Sequence, residues 1–320
     1  MHLMHSEFTM LNSQFLEAVE SNETICIFRH YNPDGDALGS QVGLARWIKL
    51  NWPDKKVLML GEDAHNFTIY DPMDQVENLG TFLSIVLDSA TQARVDDQRF
   101  ITGETIIKID HHIEVDLYGD LQIVDVQSGS TCEILASMLL SFDHLTMNES
   151  VANALLSGIL TDTQKFSIES TTAETLRVAA SLMDAGANIT ALNQALFSQP
   201  FEIWERRRAL QNEVVFKDAL AYAIIDQEKL NAMNLLDRQA KVFVNMMAGI
   251  EEYNIWAIFT QDEEGFFNGS LRSRTHTINE IAAKYNGGGH RLACGTNKLT
   301  RETMQELIDE LAQLSLSETN

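Results

Sequence analysis

Ionisable residues follow four separate apolar segments in the first half of the chain, and this arrangement limits the folds that the sequence can adopt. The segments lie at 24–28, 82–87, 105–109 and 155–160. The residues that follow them are His30, Asp34, Asp36, Asp88, Asp110, His111, His112 and Asp162. A single aspartate after a strand is ordinarily a turn or helix-capping residue. Four such segments in one region favour a shared binding site instead.

Apolar runs alternate with helical patterns through the first 160 residues. The runs lie at 24–28, 57–60, 82–87 and 105–109, and the helical patterns lie at about 38–50, 130–141 and 150–160. This alternation predicts an α/β fold with a parallel sheet covered by helices on both faces. Because ligands of such sheets bind beyond the carboxyl ends of the strands, the ionisable residues are expected to converge. Ser130 or Thr131 is the expected cap of one helix.

The predicted cluster combines carboxylates with imidazoles, which favours a hard divalent ion over a metal that prefers thiolate ligands. Asp34 and Asp36 are separated only by Gly35. On extended backbone these two side chains point to the same side, so they are expected to serve neighbouring ions.

Asp110-His111-His112 resembles the signature of the DHH phosphoesterase superfamily. The stretch His30-x-x-x-Asp34-x-Asp36, then Asp88, then Gly158-Ile-Leu-Thr-Asp162-Thr163 resemble its other three metal motifs, in the same order. The resemblance implies a pair of divalent ions that activate a water molecule for hydrolysis. It places one ion among His30, Asp34 and Asp88. It places the other among Asp36, Asp88, His111 and Asp162, so that Asp88 bridges the two.

Asp88, Asp110 and His112 are the candidate catalytic residues. Asp88 is the bridging ligand, and the other polar residues of these motifs are expected to assist the ions. Asp110 is expected to hydrogen-bond a ligand histidine and fix its tautomer. His112 is expected either to contact a phosphoryl oxygen or to protonate the leaving group; a direct metal-binding role for Asp110 or His112 is the alternative. Thr161 and Thr163 are expected to support Asp162 by hydrogen bonding.

The second half of the chain resembles the substrate-binding DHHA1 domain. Three stretches carry this resemblance, namely Ser270-Leu-Arg-Ser-Arg274, Ile278-Asn-Glu-Ile-Ala282 and Gly287-Gly-Gly-His290. The residues that it implies in substrate binding are Arg272, Ser273, Gly288, Gly289 and His290. Arginine gives charge-assisted contacts to phosphate, and glycine lets backbone N–H groups approach it. Three residues depart from the family pattern: Asn286 and Gln164 stand where glycine is usual, and Cys294 stands where alanine is common.

Two domains are expected from these motifs and from the length of 320 residues. We predict a parallel-sheet DHH catalytic domain at 1–190, a helical linker at 191–212 and a smaller α/β DHHA1 domain at 213–320. The pattern after residue 171 indicates a long helical stretch that extends to about residue 215. A strand at 220–225, a β-hairpin across 253–271 with a turn at 262–265, and a helix at about 278–285 are expected in the second half.

The net charge of −23 restricts the partners of this chain. A protein that follows long nucleic acids normally has a broad basic face. The acidic excess therefore favours short nucleotides, of about two to five residues, although acidity also serves solubility. Arg206, Arg207 and Arg208 are more typical of a salt-bridged surface than of a phosphate site.

Composition also indicates the compartment. Cys26, Cys132 and Cys294 are widely spaced, as in proteins of reducing compartments. The sequence has no secretory leader pattern and no apolar run long enough to cross a membrane. We therefore expect a cytoplasmic protein without membrane contact, and a homodimer is compatible with the sequence.

Within the family, a chain of this size is most similar to the nanoRNase/pAp-phosphatase branch and to phosphodiesterases of linear or cyclic dinucleotides. We expect a Mn²⁺-dependent enzyme, with two ions per site and Mg²⁺ or Co²⁺ as substitutes. Its expected substrates are nanoRNA, pApA, pGpG and pAp. The alternatives are an inorganic pyrophosphatase or polyphosphatase, a processive exonuclease, and a non-catalytic dinucleotide sensor.

Overall fold

The computed structural model describes residues 2–64 and 67–317, with side chains from residue 8 onward. The chain divides into two compact units, one that ends at Ser198 and one that begins at Gln199. None of the helices in these described ranges is long and apolar enough to span a membrane.

A five-stranded parallel sheet forms the centre of the first unit, and the sequence predicted a parallel sheet with four of these strands. Its strands are β1 Thr24–Phe28, β2 Lys56–Met59, β3 Leu83–Leu87, β4 Thr105–Asp110 and β5 Leu121–Val124. They are arranged in the order β2-β1-β3-β4-β5, and all pairs are parallel. The helices are α1 His2–Ser21, α2 Gly35–Asn51, α3 Thr131–Leu140, α4 Glu149–Asp162, α5 Ala173–Asp184 and α6 Ile189–Phe197. Strand β5 was not predicted.

Helices α2 and α4 lie unusually close together because glycine lines their contact. A Cβ atom at Gly39 would lie 2.6 Å from the carbonyl oxygen of Ala154, and one at Gly43 would lie 2.8 Å from Leu155. Any larger side chain at these positions would push the helices apart. This close packing brings the first turn of α2 and the last turn of α4 near each other, and both turns carry predicted metal ligands.

The second unit is built on a mixed six-stranded sheet in the order β10-β11-β9-β8-β7-β6. Its strands are β6 Val214–Lys217, β7 Leu220–Ile225, β8 Ile255–Gln261, β9 Phe267–Ser273, β10 Gly287–His290 and β11 Ala293–Leu299. Its helices are α7 Phe201–Gln211, α8 Gln227–Ala232, α9 Asp237–Lys241, α10 Asn279–Lys284 and α11 Arg301–Ser315. Strands β8 and β9 form the predicted hairpin, and β7 and α10 match the predicted strand and helix.

The long helical stretch expected between 171 and 215 is wrong. The region contains three helices, α5, α6 and α7, and ends in strand β6. Gly186 has a φ of 105°, which ends the helical path after α5, and Pro200 precedes the first residue of α7. The predicted linker at 191–212 therefore overlaps two different compact units.

Arg206 and Arg208 lie on α7 and have local partners. The Arg206 guanidinium pairs with Glu202 one turn earlier. The Arg208 guanidinium lies over the ring of Trp204, 5.7 Å from the ring centroid. These contacts agree with the expected salt-bridged surface.

Candidate metal centre

The predicted ligands of the first unit gather at the carboxyl edge of the parallel sheet. His30 follows β1, Asp88 follows β3 directly, and His111 follows β4. Asp36 lies in the first turn of α2, and Asp162 is the last residue of α4. The sheet topology thus brings together residues that are up to 132 positions apart in sequence, from His30 to Asp162.

Three overlapping groups in the described chain have ligand atoms that lie within 4.8 Å of one another. They are His30 with Asp34 and Asp88; Asp36 with His111 and Asp162; and Asp88 with His111 and His112. Asp88 and His111 each belong to two groups. The arrangement is therefore one extended cluster with two neighbouring centres, which is the geometry that a pair of ions requires.

Asp88 lies between the two centres. One of its carboxylate oxygens, Oδ2, lies 3.4 Å from Nε2 of His30, and the other, Oδ1, lies 3.6 Å from Nε2 of His111. Its backbone has a φ of 52°, a left-handed conformation that costs free energy in a residue other than glycine. In this conformation the two carboxylate oxygens of Asp88 lie near different histidines.

The N-terminus of α3 holds Asp36. The backbone N–H of Thr131 donates to Oδ2 over 2.7 Å, and that of Cys132 donates to Oδ1 over 2.9 Å. The Thr131 hydroxyl also donates to Oδ1 of Asp88 over 3.2 Å. A helix N-terminus stabilises negative charge, so α3 orients two of the carboxylates at once.

The expected extended backbone is found at Asp34 but is wrong for Asp36, which lies in the first turn of α2. Asp34 is the N-cap of α2, and its Oδ1 accepts hydrogen bonds from the N–H groups of Asp36 and Ala37. Its other oxygen, Oδ2, lies 3.9 Å from Nε2 of His30. The two aspartates still lie in neighbouring groups of the cluster, because the helix turn separates their side chains.

Asp110 contacts His112 and not one of the predicted ligand histidines. Its Oδ1 lies 2.8 Å from Nδ1 of His112. The threonine prediction is wrong as well. The Thr161 hydroxyl donates to the carbonyl of Gly158, and the Thr163 hydroxyl donates to that of Ile159, so both satisfy the last turn of α4 and neither donates to Asp162.

The charges of the cluster perturb one another strongly. Burial disfavours the charged form of His111, but the nearby carboxylates of Asp162, Asp36 and Asp88 outweigh it and raise the pKa of His111 to about 10. Burial raises the pKa of Asp36 well above its usual range, and the charges of Asp88 and Asp162 add to this effect. Burial alone would also raise the pKa of Asp88, yet its histidine neighbours lower it.

These residues fit a pair of divalent cations. Nε2 of His111 is buried and has no hydrogen bond within the described ranges, although it lies 3.3 Å from Oδ2 of Asp162. The carboxylates of Asp34, Asp36, Asp88 and Asp162 lie close together in the three ligand groups. Oxygen ligands with one or two imidazoles are typical of Mg²⁺ and Mn²⁺ sites. Cations would offset the repulsion that the carboxylates otherwise experience.

The predicted phosphate-binding residues lie at one end of the second sheet. His290 of β10 pairs with Ala293 of β11, which pairs with Arg272 of β9. Residues paired across antiparallel strands lie on the same face, so Arg272 and His290 share a face. Gly288 and Gly295 also pair on that face, and a Cβ atom at Gly288 would meet nothing within 4 Å. Position 288 therefore faces open space.

Ser273 and Gly289 differ from that arrangement. Ser273 follows Arg272 in β9, so strand alternation directs its side chain to the opposite face. Its hydroxyl is buried and unpaired among the residues described. Gly289 has a φ of 134°, and a Cβ atom there would lie 2.6 Å from the carbonyl oxygen of Ala293. Position 289 therefore requires glycine, because strand β11 approaches it too closely for a larger residue.

Comparison with known proteins decides the family. The DHH family, N-terminal domain, matches residues 24–159, and the DHHA1 domain matches residues 224–315. A probable bifunctional oligoribonuclease and PAP phosphatase NrnA of Streptococcus mutans is 35% identical over 93% of this chain and 97% of its own length. This chain belongs to the DHH family.

Two further proteins are similar to this chain. The bifunctional oligoribonuclease and PAP phosphatase NrnA of Bacillus subtilis is 29% identical over 95% of this chain and 98% of its own length. Among solved structures, an exopolyphosphatase-related protein from Bacteroides fragilis has a TM-score of 0.77 at 21% identity, with 96% of this chain and 95% of that chain covered. At this identity the structural match shows a shared fold.

Two of the residues that depart from the family pattern have the same backbone conformation. Gln164 has a φ of 47° and Asn286 has a φ of 52°, in the left-handed region where glycine is favoured. The backbone thus keeps the glycine-type conformation while the residue differs. The third departure, Cys294, is buried, and its thiol donates to the carbonyl oxygen of His290.

Some contributors to the metal centre were not predicted. The amides of Thr131 and Cys132 were recognised only as part of a helix start, although a capped helix beginning in a sheet-edge loop is itself a signal for anion binding. Lys108 was not predicted either, because a lysine within a strand sequence does not reveal whether its side chain is buried or pairs with a carboxylate. Its side chain is fully buried beside Asp110.

Proposed function

We propose that this DHH-family protein is a metal-dependent phosphodiesterase that hydrolyses nanoRNA and linear dinucleotides such as pApA and pGpG to mononucleotides. We further propose that it removes the 3′-phosphate of pAp. The observation that carries this proposal is the complete cluster of His30, Asp34, Asp36, Asp88, His111 and Asp162, in a chain that aligns over nearly its full length with relatives named as oligoribonucleases and PAP phosphatases.

The ligand groups support a division of the cluster between two ions, for which we propose Mn²⁺, with Mg²⁺ or Co²⁺ as substitutes. His30, Asp34 and Asp88 would hold one ion, and Asp36, Asp88, His111 and Asp162 would hold the other. Such a pair of ions supplies an activated water and neutralises charge on the phosphoryl oxygens when bound. The α3 N-terminus keeps the Asp36 and Asp88 carboxylates oriented for this purpose.

Polar residues outside the ligand set complete the proposed chemistry. His112 is 41% exposed, so its ring reaches solvent and a substrate, while Asp110 fixes Nδ1. We assign to His112 the protonation of the leaving oxygen, which general acids accelerate by about 10²- to 10⁴-fold. Arg272 would recognise a terminal phosphate of the substrate, since it lies on the same sheet face as His290. Its Nη1 donates to the carbonyl oxygens of Leu271 and Cys294, and the other N–H groups of the guanidinium would contact the phosphate.

The acidic surface supports the proposed preference for short substrates. With 46 acidic and 23 basic residues, the chain lacks the positive charge that long RNA or DNA requires for tight binding. A dinucleotide carries few phosphates, and Arg272 with the two cations suffices for these. We propose that the functional domains correspond to 1–190 and 213–320, connected by 191–212.

A substrate panel tests this function. Purified protein loaded with Mn²⁺ or Mg²⁺ is incubated with pApA, pGpG, pAp, cyclic dinucleotides, RNA five-mers and inorganic pyrophosphate, and Asp88→Ala is the inactive control. We expect mononucleotides from the linear dinucleotides and adenosine monophosphate from pAp. Phosphate release from pyrophosphate alone, with every nucleotide intact, would reject the proposal.

A further inference from the structure

Lys108 is a buried cation in the strand that leads to the catalytic histidines. It lies in β4 between Ile107 and Ile109, and its side chain is 0% exposed. Strands buried on both faces of a parallel sheet normally carry apolar residues at such positions. Burying an ammonium group costs several kcal/mol unless it is paired. An electrostatic partner is therefore expected close by.

The carboxylate of Asp110 is that partner. The Lys108 Nζ atom lies 3.6 Å from Oδ2 of Asp110, and it also donates to the carbonyl oxygen of Ala90 over 3.4 Å. The ring of Tyr118 lies 4.8 Å from the same Nζ atom and faces the charge. Lys108 is thus enclosed by one acid, one carbonyl and one aromatic ring.

Asp110 has its two oxygens in different roles. It is fully buried, and Oδ2 has no hydrogen bond within the part of the chain that the structure describes, so the Lys108 charge is its main compensation. Oδ1 lies 2.8 Å from Nδ1 of His112 and accepts a second, longer hydrogen bond of 3.3 Å from the His112 backbone N–H. The carboxylate therefore connects the buried lysine to the exposed imidazole.

The orientation of His112 follows from this contact. A carboxylate oxygen only accepts hydrogen bonds, so Nδ1 carries a proton and Nε2 is the nitrogen that remains available to a substrate. Asp110 is the nearest partner of Nδ1, because Oδ1 of Asp88 lies farther away, at 3.5 Å, and the His111 ring packs against the His112 ring with the centroids 4.5 Å apart. If Asp110 rotated, the ring would lose its fixed orientation.

We infer that Lys108 is a positioning residue that acts through Asp110 to hold His112 in place for protonating the leaving oxygen. The inference rests on the proposed function. In the step concerned, a water oxygen forms the new P–O bond and releases a proton to solvent. The P–O bond to the leaving ribose oxygen breaks, and that oxygen takes a proton from Nε2 of the His112 imidazolium. The neutral ring keeps its Nδ1 proton against Asp110 and regains the Nε2 proton from solvent before the next turnover.

The test compares two leaving groups in the full chain loaded with Mn²⁺. The dinucleotide pApA has a ribose oxygen as leaving group and needs protonation, whereas the p-nitrophenyl ester of thymidine 5′-monophosphate releases a stable phenolate and does not. The variant Lys108→Met removes the charge and keeps the length of the side chain. Ser84→Ala, a buried polar position in the adjacent strand β3, is the matched control for a change in the sheet core.

We expect Lys108→Met to lower kcat for pApA by about 10- to 100-fold, the usual effect of a residue that orients a catalytic group. We expect KM to change little and kcat for the nitrophenyl ester to fall less than about threefold, because that product needs no general acid. His112→Asn should show the same pattern, and the double variant should lose no more than His112→Asn alone. Ser84→Ala should behave as wild type with both substrates.

Equal losses on both substrates, or no loss on either, would overturn the positioning role. If Lys108→Met does not fold, Lys108→Gln replaces it, since its amide can donate a hydrogen bond to the buried carboxylate of Asp110 without supplying a charge. We expect this variant to show a selective loss of the same kind but smaller in size. Wild-type protein that cleaves neither substrate contradicts the proposed function. Wild-type protein that is active, with no leaving-group selectivity in the variants, contradicts only the role of Lys108.

Discussion

Gly158 of α4 lies directly against the carboxylate of Asp36 in α2. A Cβ atom at position 158 would lie 2.9 Å from Oδ1 of Asp36 and 2.3 Å from Sγ of Cys132. Oδ1 is the oxygen that accepts the Cys132 N–H at 2.9 Å. Because Gly158 has no side chain, α4 can pack closely against α2 and α3. The same close packing leaves room for the Asp36 carboxylate in its observed orientation.

Gly158→Ala is expected to weaken metal binding, because its methyl group displaces Asp36 or Cys132. We expect a loss of about 1–3 kcal/mol in the free energy of unfolding, as for other overpacked sites. The Kd for Mn²⁺ should rise at least about tenfold, which corresponds to about 1.4 kcal/mol of binding free energy. Urea unfolding and calorimetric titration measure the two effects. Gly249→Ala is the control, since a Cβ atom there meets nothing within 4 Å. Wild-type affinity in Gly158→Ala would show that Asp36 does not need this contact.

Gln164→Gly is expected to stabilise the protein. Gln164 adopts a φ of 47°, a left-handed conformation that costs about 1–2 kcal/mol for most residues and is unstrained for glycine. The gain in the free energy of unfolding should approach 1 kcal/mol, because glycine also gains entropy in the unfolded chain. Gln164→Ala is the matched control, since alanine removes the same side-chain atoms without relieving the backbone.

Asn286→Gly should give a smaller gain than Gln164→Gly. Asn286 has a similar φ of 52°, but asparagine tolerates the left-handed region better than glutamine. The midpoints of urea unfolding of the four proteins, including wild type and Gln164→Ala, rank the effects. Equal stability of the glycine and alanine variants at position 164 would remove backbone strain as the explanation.

Arg272→Ala is expected to raise KM for 5′-phosphorylated dinucleotides, with a smaller change in kcat. A hydrogen bond to a charged group contributes about 1.5–3 kcal/mol, so the increase should be roughly 10- to 100-fold. Steady-state kinetics with pApA and with its unphosphorylated counterpart ApA separates terminal-phosphate recognition from general binding.

Arg274→Ala is the control for this experiment. Both terminal nitrogens of Arg274 donate to carbonyl oxygens, Nη1 to Glu251 and Nη2 to Ala248 and Ile250, so both ends of its guanidinium are held within the fold. Its KM values should stay near those of wild type below the melting temperature. If Arg272→Ala and wild type gave the same KM for pApA, Arg272 would not bind the terminal phosphate.

Binding of Mn²⁺ is expected to release protons near pH 8. The pKa of His111 is raised from its usual 6.5 to about 10 in the metal-free fold, so the ring is protonated at pH 8 and must lose its proton to bind a metal. The same shift stabilises the metal-free fold fully below about pH 6.5, and this stabilisation is lost as the pH rises through about 10. Metal affinity should accordingly increase with pH over this range.

Titration calorimetry at pH 8 in two buffers of different ionisation enthalpy counts the released protons, and we expect about one from His111. His111→Asn should abolish the buffer dependence along with most of the affinity. His144→Asn, an exposed histidine outside the three ligand groups, should leave both unchanged. Identical heats in the two buffers for wild type would contradict the assigned protonation of His111.

The sequence was informative wherever a feature depends on local pattern. The positions of His30, Asp88 and His111 at strand ends were predictable, because apolar runs mark parallel strands and topology fixes where those strands end. Strand β5, at Leu121–Val124, was missed because only four residues form it and their pattern is not distinct from a loop. Its existence depends on pairing with β4, which is a tertiary contact.

Features that depend on contacts between distant segments were not predictable. The role of α3 in holding Asp36 requires α2 and α3 to meet across 95 positions, from Asp36 to Thr131. The glycine run at Gly287–His290 was expected to bind phosphate, and its conformation as strand β10 was not predicted, because that strand depends on pairing with β11. Positive φ at Gln164 likewise appears only in the folded backbone.

The central claim is that His30, Asp34, Asp36, Asp88, His111 and Asp162 together hold two divalent cations. Anomalous diffraction from crystals soaked in Mn²⁺ tests it most directly. We predict two peaks roughly 3.5–4 Å apart, with Asp88 between them. A map with no anomalous peak beside Asp88 would contradict the account.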